Sequence, residues 1–221
     1  MSRLTGQSTM SETSSHSIKR REQILAAAQA VFARAGIDNT RMDDIVAESG
    51  LSKGTLYWYF KSKDAIINAI FHRFFEIEIH DLESILHTDG PAENRLSLFT
   101  VMLTQSFLAM DGLISVGYEF YARAIRDNQL RSTLQTYYMG FYDLITELVD
   151  QGIRLEEFQP DTNAGSVALS LISALEGLFF LHTIQPIKID LNSATQSILE
   201  LTLDGIRTHP AKPDVSKIKG E

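Results

Sequence analysis

The sequence contains no cysteine. That excludes disulfides, thiolate nucleophiles, iron–sulfur clusters and cysteine-ligated zinc, and it suits a reducing, cytoplasmic compartment. No P-loop, G-x-S-x-G, H-E-x-x-H or dinucleotide-binding fingerprint occurs, so no enzyme activity and no cofactor is expected. His72, Glu76, His80, Glu83 and His87 fall on one helical face. Two histidines eight apart on one helix are too distant to share a metal, so this reads as a solvated face and no metal site is expected. Sustained Val/Ile/Thr alternation is missing, and with it any strand signal. No apolar targeting core precedes residue 17. The longest apolar stretch, Val167 to Ile184, is interrupted by Ser170, Ser173, Glu176 and His182. A charge near its middle favours a buried soluble helix over a bilayer span, so no membrane partner is expected.

What remains is helical and unevenly charged. The chain has 221 residues, 44% apolar and 22% charged, which suffices for one or two folded domains. Its formal net charge is −8, but the charge is split. Residues 1–63 hold nine Lys and Arg against six acids, a net of +3, and the remainder holds eleven against twenty-two, a net of −11. Such asymmetry suggests a small anion-facing module joined to an acidic body.

Apolar positions recur at three and four residues through Ile24, Ala27, Ala28, Val31, Phe32 and Ala35, and Gly36 follows as a stop. This predicts a helix over 17–35. Two short helices follow over 41–48, capped by Thr40, and 53–60, capped by Ser52. A long helix from about 63 to 87 ends at Asp89-Gly90-Pro91. Five more are predicted near 92–110, 113–127, 129–152, 161–184 and 191–207, so the fold class is all-α. The organisation expected is a disordered tail over 1–16, a head over 17–63, a helical body over 64–207 and a second tail over 208–221.

The head carries the chemistry. In TRMDDIVAESGLSKGTLYWYF, Thr40 to Phe60, Ile45 and Val46 turn one short helix inward. Gly50 suits a left-handed turn, Leu51 plugs it, and Leu56 and Phe60 make the buried stripe of the second helix. That is a helix-turn-helix over about 41–60. At about 100° per residue, Trp58 lies opposite Leu56 and is expected to face outward. Tyr57, Trp58 and Tyr59 would meet phosphates, sugars and thymine methyls in a major groove. Lys53, Lys61 and Lys63 would neutralise phosphates, and Gly54 would permit close backbone approach. Packing of Trp58 on a neighbouring helix is the competing account.

The residues Arg21, Ile24, Leu25, Ala27, Ala28, Phe32, Gly36, Thr40, Ile45, Gly50, Ser52, Gly54, Leu56, Tyr57, Phe60 and Lys63 resemble the head of TetR-type transcriptional regulators. The likeness covers about 17–66. Val46, Ser49 and Tyr59 depart from the residues most often found there. The resemblance implies DNA contacts at Thr40, Lys53, Gly54, Thr55, Tyr57, Trp58, Tyr59 and Lys63, with Arg41 and Ser52 beside them. It also implies a homodimer on a palindromic operator, with repression the commoner mode.

For the body, the resemblance implies an effector cavity and a dimer interface built by the last two helices. Phe75, Phe107, Met110, Tyr118, Tyr121, Tyr138, Phe141 and Glu176 are the effector-site candidates, for an apolar or aromatic small molecule. Leu171, Leu175, Leu178, Phe179 and Leu201 are the dimer candidates. For both sets ordinary core packing stays open. The alternative function is a helical small-molecule-binding protein without specific DNA binding, which a salt titration would distinguish.

Overall fold

The structure is a computed structural model that describes residues 6–110, 112–185 and 187–208, with side chains from residue 16 onward. Among these residues nine α-helices follow one another. They are α1 Gly6–Asn39, α2 Met42–Ser49, α3 Lys53–Tyr59, α4 Lys63–Glu83, α5 Ala92–Ala109, α6 Ile114–Ala124, α7 Asn128–Arg154, α8 Ala164–Ile184 and α9 Leu191–Ile206. A 3-10 turn, Ser84–His87, follows α4, and the strand-like pairing among the described residues is one isolated bridge between Phe158 and Arg207. The fold is all-α. The first helix begins at Gly6 rather than near residue 17, so the tail expected over 1–16 is helical from Gly6. No proline or glycine stands between Gln7 and Ala35 to stop it. Residues 1–5 and 209–221, the rest of the two expected tails, lie outside the described residues. Gly36 ends the regular helix with φ 76° and ψ 164°, a conformation that side chains disfavour.

The chain divides into two compact units, Met1–Glu78 with Ala109–Tyr137 and Ile79–Leu108 with Tyr138–Glu221. This differs from the expected break near residue 63. In the first unit, α1 packs on α2 and α6, and α2 on α3. Ile24, Leu25, Ala28 and Phe32 of α1, Ile45 of α2, and Leu56 with Phe60 make one buried core. Burying each large side chain contributes about 1.5–3 kcal/mol, so this core holds two helices too short to stand alone. Val46, expected inside, is half-buried. Phe71 stacks on Phe120 at 4.1 Å, and Phe75 on Tyr137 at 3.9 Å. The Tyr137 hydroxyl donates to Glu78, a buried carboxylate, at 2.7 Å. The Glu119 carboxylate on α6 accepts from the Ile37 backbone N–H at 2.7 Å, and Arg123 bridges Asp38 and Asp64.

In the second unit α8 packs on α9. Ala168, Leu171, Leu175 and Phe179 form the buried stripe of α8, spaced at three and four residues. By length and composition α8 could cross a membrane; here that stripe is interior to the unit. Phe99 meets Phe141 edge to face at 5.7 Å, and Phe107 stacks on Phe179 at 4.4 Å. Phe158, fully buried, presses on the backbone of Gly152. Arg207 at the end of α9 pairs with Glu93, Asp204 and Glu200.

Candidate nucleic-acid interface

The helix-turn-helix is built by local chemistry that the sequence announces. Gly50 closes α2 in the left-handed region, φ 65° and ψ 14°. Gln23 of α1 secures that end, its side-chain amide donating to the Ser49 carbonyl at 2.8 Å. Ser52 caps α3, its hydroxyl accepting from the Thr55 N–H at 3.1 Å and bonding the Thr55 hydroxyl at 2.8 Å. Leu56 is wholly buried, and Trp58, two residues on, is 68% exposed. The indole stands edge-on to Tyr59 at 4.6 Å. Packing of Trp58 inside the head, the competing account, is therefore removed.

Around the indole the exposed surface carries Lys53, Gly54 and Ser52, with Tyr57 and Thr55 half-exposed. The Lys53 ammonium lies 6.0 Å from the Tyr57 ring centroid and 2.7 Å from the Asp43 carboxylate of α2. Hydrogen bonding and charge from Asp43 hold the Lys53 ammonium above its usual range. A methyl group at Gly54 would meet nothing closer than the Ser52 hydroxyl, at 3.9 Å. The fold does not require glycine there, although glycine weakens a helix by about 1 kcal/mol. Arg41 is exposed at the start of α2.

Three expected residues sit differently. Thr40 does not cap α2. It is 2% exposed, and its hydroxyl donates to the Gly36 carbonyl at 2.7 Å. The backbone N–H of Arg41 instead donates to Asp44, at 2.7 Å. Lys63 does not point at solvent. Its ammonium donates to the carbonyls of Ile37 at 2.6 Å and Thr40 at 2.8 Å. It thus satisfies the orphan carbonyls at the end of α1, where a cation also suits the helix dipole. Tyr59 is half-buried, with its hydroxyl 3.4 Å from that of Ser17. Lys61, exposed, donates to the Tyr57 carbonyl at 2.7 Å. The carbonyls that hold Lys63 lie 26 and 23 residues back, which helical periodicity alone does not bring near, whereas the Thr40 bond to Gly36 is a local contact four residues back. Replacing Lys63 by methionine, which keeps the apolar stem, is expected to destabilise the protein by about 2 kcal/mol. A thermal melt should then shift down by roughly 5 °C.

Comparison with known proteins settles the lineage. Residues 24–70 match the model described as bacterial regulatory proteins, tetR family, and residues 103–192 match the tetracyclin repressor-like C-terminal domain. The HTH-type transcriptional regulator YfiR of Bacillus subtilis strain 168 is 31% identical over 172 residues, 75% of this chain and 81% of that one. The chain belongs to the TetR family. It is a DNA-binding transcriptional regulator, as its relatives are. Among solved structures, a transcriptional regulator from Saccharomonospora viridis in complex with choline superposes with a TM-score of 0.74 at 22% identity. That match covers 86% of this chain and 99% of the other. The triclosan complex of SmeT, the repressor of a Stenotrophomonas maltophilia multidrug efflux pump, gives 0.70 at 21% identity, covering 88% and 96%.

The effector candidates of this TetR-family chain divide between the two units. Phe75, Met110, Tyr118 and Tyr121 belong to the first; Phe107, Tyr138, Phe141 and Glu176 belong to the second. Phe75 and Phe141 are buried, whereas Phe107, Met110 and Tyr138 are half-buried. The Glu176 carboxyl is raised above its ordinary range by burial, against a hydrogen bond from Tyr138 that lowers it. Of the dimer candidates, Leu171, Leu175 and Phe179 are interior to their own unit and unavailable to a partner. Leu178 is half-buried and Leu201 is 75% exposed. Sequence periodicity marked α8 as apolar all round and could not say which stripe its own chain would cover. The exposed stripe contains Leu169, Phe180 and Ile184 instead.

Proposed function

We propose that this regulator represses transcription by seating α3 of two heads in successive major grooves of a palindromic operator, and that a small apolar or aromatic effector releases it. The observation that carries the DNA contact is the outward Trp58 on a helix whose Leu56 and Phe60 are clamped in the core. Lys53, Thr55, Tyr57 and Trp58 would lie nearest the bases, the Lys53 ammonium reaching the adjoining phosphate, with Arg41 and Ser52 on the backbone. Gly54 supports the same placement, because the space above it is open and the chain itself makes no use of it. Thr40 and Lys63 position the head from inside rather than by touching phosphate. A regulator of this kind works in the cytoplasm.

Dimerisation supplies the two-fold symmetry that a palindrome needs. Leu169, Phe180 and Ile184 share one exposed face of α8, and Leu201 stands exposed on α9. An exposed apolar patch of this kind suits a second copy of the chain. The double variant Phe180→Glu, Leu201→Glu is expected to be monomeric in native mass spectrometry and to lose at least tenfold in operator affinity. A dimer that persists would count against this face.

Effector binding fits the aromatic body. Phe107 over Phe179, with Tyr138 and Glu176, offers apolar rings beside one hydroxyl and one carboxyl. The neighbours solved with choline and with triclosan support a small ligand. Release requires that the effector prefer the conformation in which the heads fit DNA less well, with a coupling of about 1–3 kcal/mol. The grip of Glu119 and Arg123 on residues 37, 38 and 64 gives α6 a direct hold on the head. The test is selection of bound sites from random DNA, then a screen for compounds that free the selected duplex. A saturating ligand that leaves operator affinity unchanged would contradict the release mechanism.

A further inference from the structure

The two acids of the first turn of α2 have different surroundings. Asp44 accepts the Arg41 N–H and closes the start of the helix. Asp43 does nothing comparable for the fold. Its carboxylate is 67% exposed and holds Lys53, itself 62% exposed, at 2.7 Å. An exposed ion pair stabilises a fold little. Yet this one places a negative charge in the surface that faces the duplex, next to a cation that would otherwise take a phosphate. On a head of net charge +3, masking one cation weakens the sequence-independent part of binding.

We infer that Asp43 is a specificity-determining residue: it occupies Lys53 on arbitrary DNA and yields it only where the carboxylate meets a base-edge amine. The major groove offers two such amines, N4 of cytosine and N6 of adenine, and cytosine N4 is the one a carboxylate characteristically accepts from. Against phosphates and base acceptors the same carboxylate repels. At a matching base it exchanges one cationic partner for a neutral donor, and Lys53 is freed for the backbone. The inference rests on the placement of α3 against DNA proposed above.

The experiment compares wild type, Asp43→Ala and Asp43→Asn on the selected operator and on a random duplex, each across a salt titration. Both variants are expected to bind the random duplex about three- to tenfold more tightly, without tightening on the operator. Their logarithmic salt slope on random DNA should steepen by about 1.8, the value for one extra phosphate contact at each of two heads. In a Lys53→Ala background the Asp43 substitutions should leave the slope unchanged. Equal shifts on both duplexes, or an unchanged salt slope, would overturn the role of Asp43 alone. A wild type that prefers no sequence would overturn the interface reading beneath it. Unchanged helical circular dichroism in Asp43→Asn keeps the comparison clear of folding effects.

Discussion

Trp58→Ala is expected to lower operator affinity at least about thirtyfold while the melting temperature stays within a few degrees of wild type. The side chain is 68% exposed, so the fold loses little beyond the edge contact with Tyr59. A good base contact is worth about 1–3 kcal/mol, and two heads on a palindrome lose it twice. The sum, about 2–6 kcal/mol, exceeds the effect on stability. Leu56→Ala is the instructive opposite. It opens a cavity in a fully buried site, costs about 2–5 kcal/mol of stability, and weakens DNA binding only through the fold. Gel-shift titration paired with a thermal melt separates the two. A Trp58→Ala protein with wild-type affinity would remove the indole from the interface.

Gly152→Ala is expected to destabilise the second unit by about 2 kcal/mol, although alanine is the better helix former. A Cβ at this position in α7 would fall within the van der Waals surface of the Phe158 ring and lie 3.0 Å from the Ala92 Cβ. Phe158 is fully buried and cannot swing away. Its neighbours are fixed as well, because Glu157 accepts the Ala92 N–H at 2.6 Å and Gln159 donates to the Ile206 carbonyl at 2.8 Å. Overpacking of this kind costs about 1–3 kcal/mol, and at a site with so little room the upper end applies. Helix propensity returns about 1 kcal/mol at most. The net loss should lower the melting temperature by roughly 5 °C. A melt at or above the wild-type value would mean that Phe158 is less constrained than its packing indicates.

The helix-turn-helix was legible because its determinants are local. Gly50, the Ser52 cap and the Leu56–Phe60 stripe each act within a few residues, and together they fix which way Trp58 must point. The contacts that escaped sequence reading are those between distant segments. The hold of Glu119 on Ile37 spans 82 residues, and that of Lys63 on Ile37 spans 26. Nothing in the residue pattern around Lys63 distinguishes a cation for carbonyls from a cation for phosphates. Asp43 was visible as a charge but not as the partner of Lys53. In α8 the apolar residues extend round the whole helix, so the interior stripe at Leu171, Leu175 and Phe179 could not be told from the exposed one at Leu169, Phe180 and Ile184. That distinction is made only by what α8 packs against.

Trp58 is the sole tryptophan of the chain, so its emission reports on the recognition helix and nothing else. Intrinsic fluorescence during titration with the selected operator is the most direct measurement. A water-exposed indole that enters a groove should shift its emission to shorter wavelength, lose accessibility to acrylamide, and saturate at two heads per palindromic duplex. Emission and acrylamide accessibility that stay unchanged while the protein is bound to the operator would contradict the account.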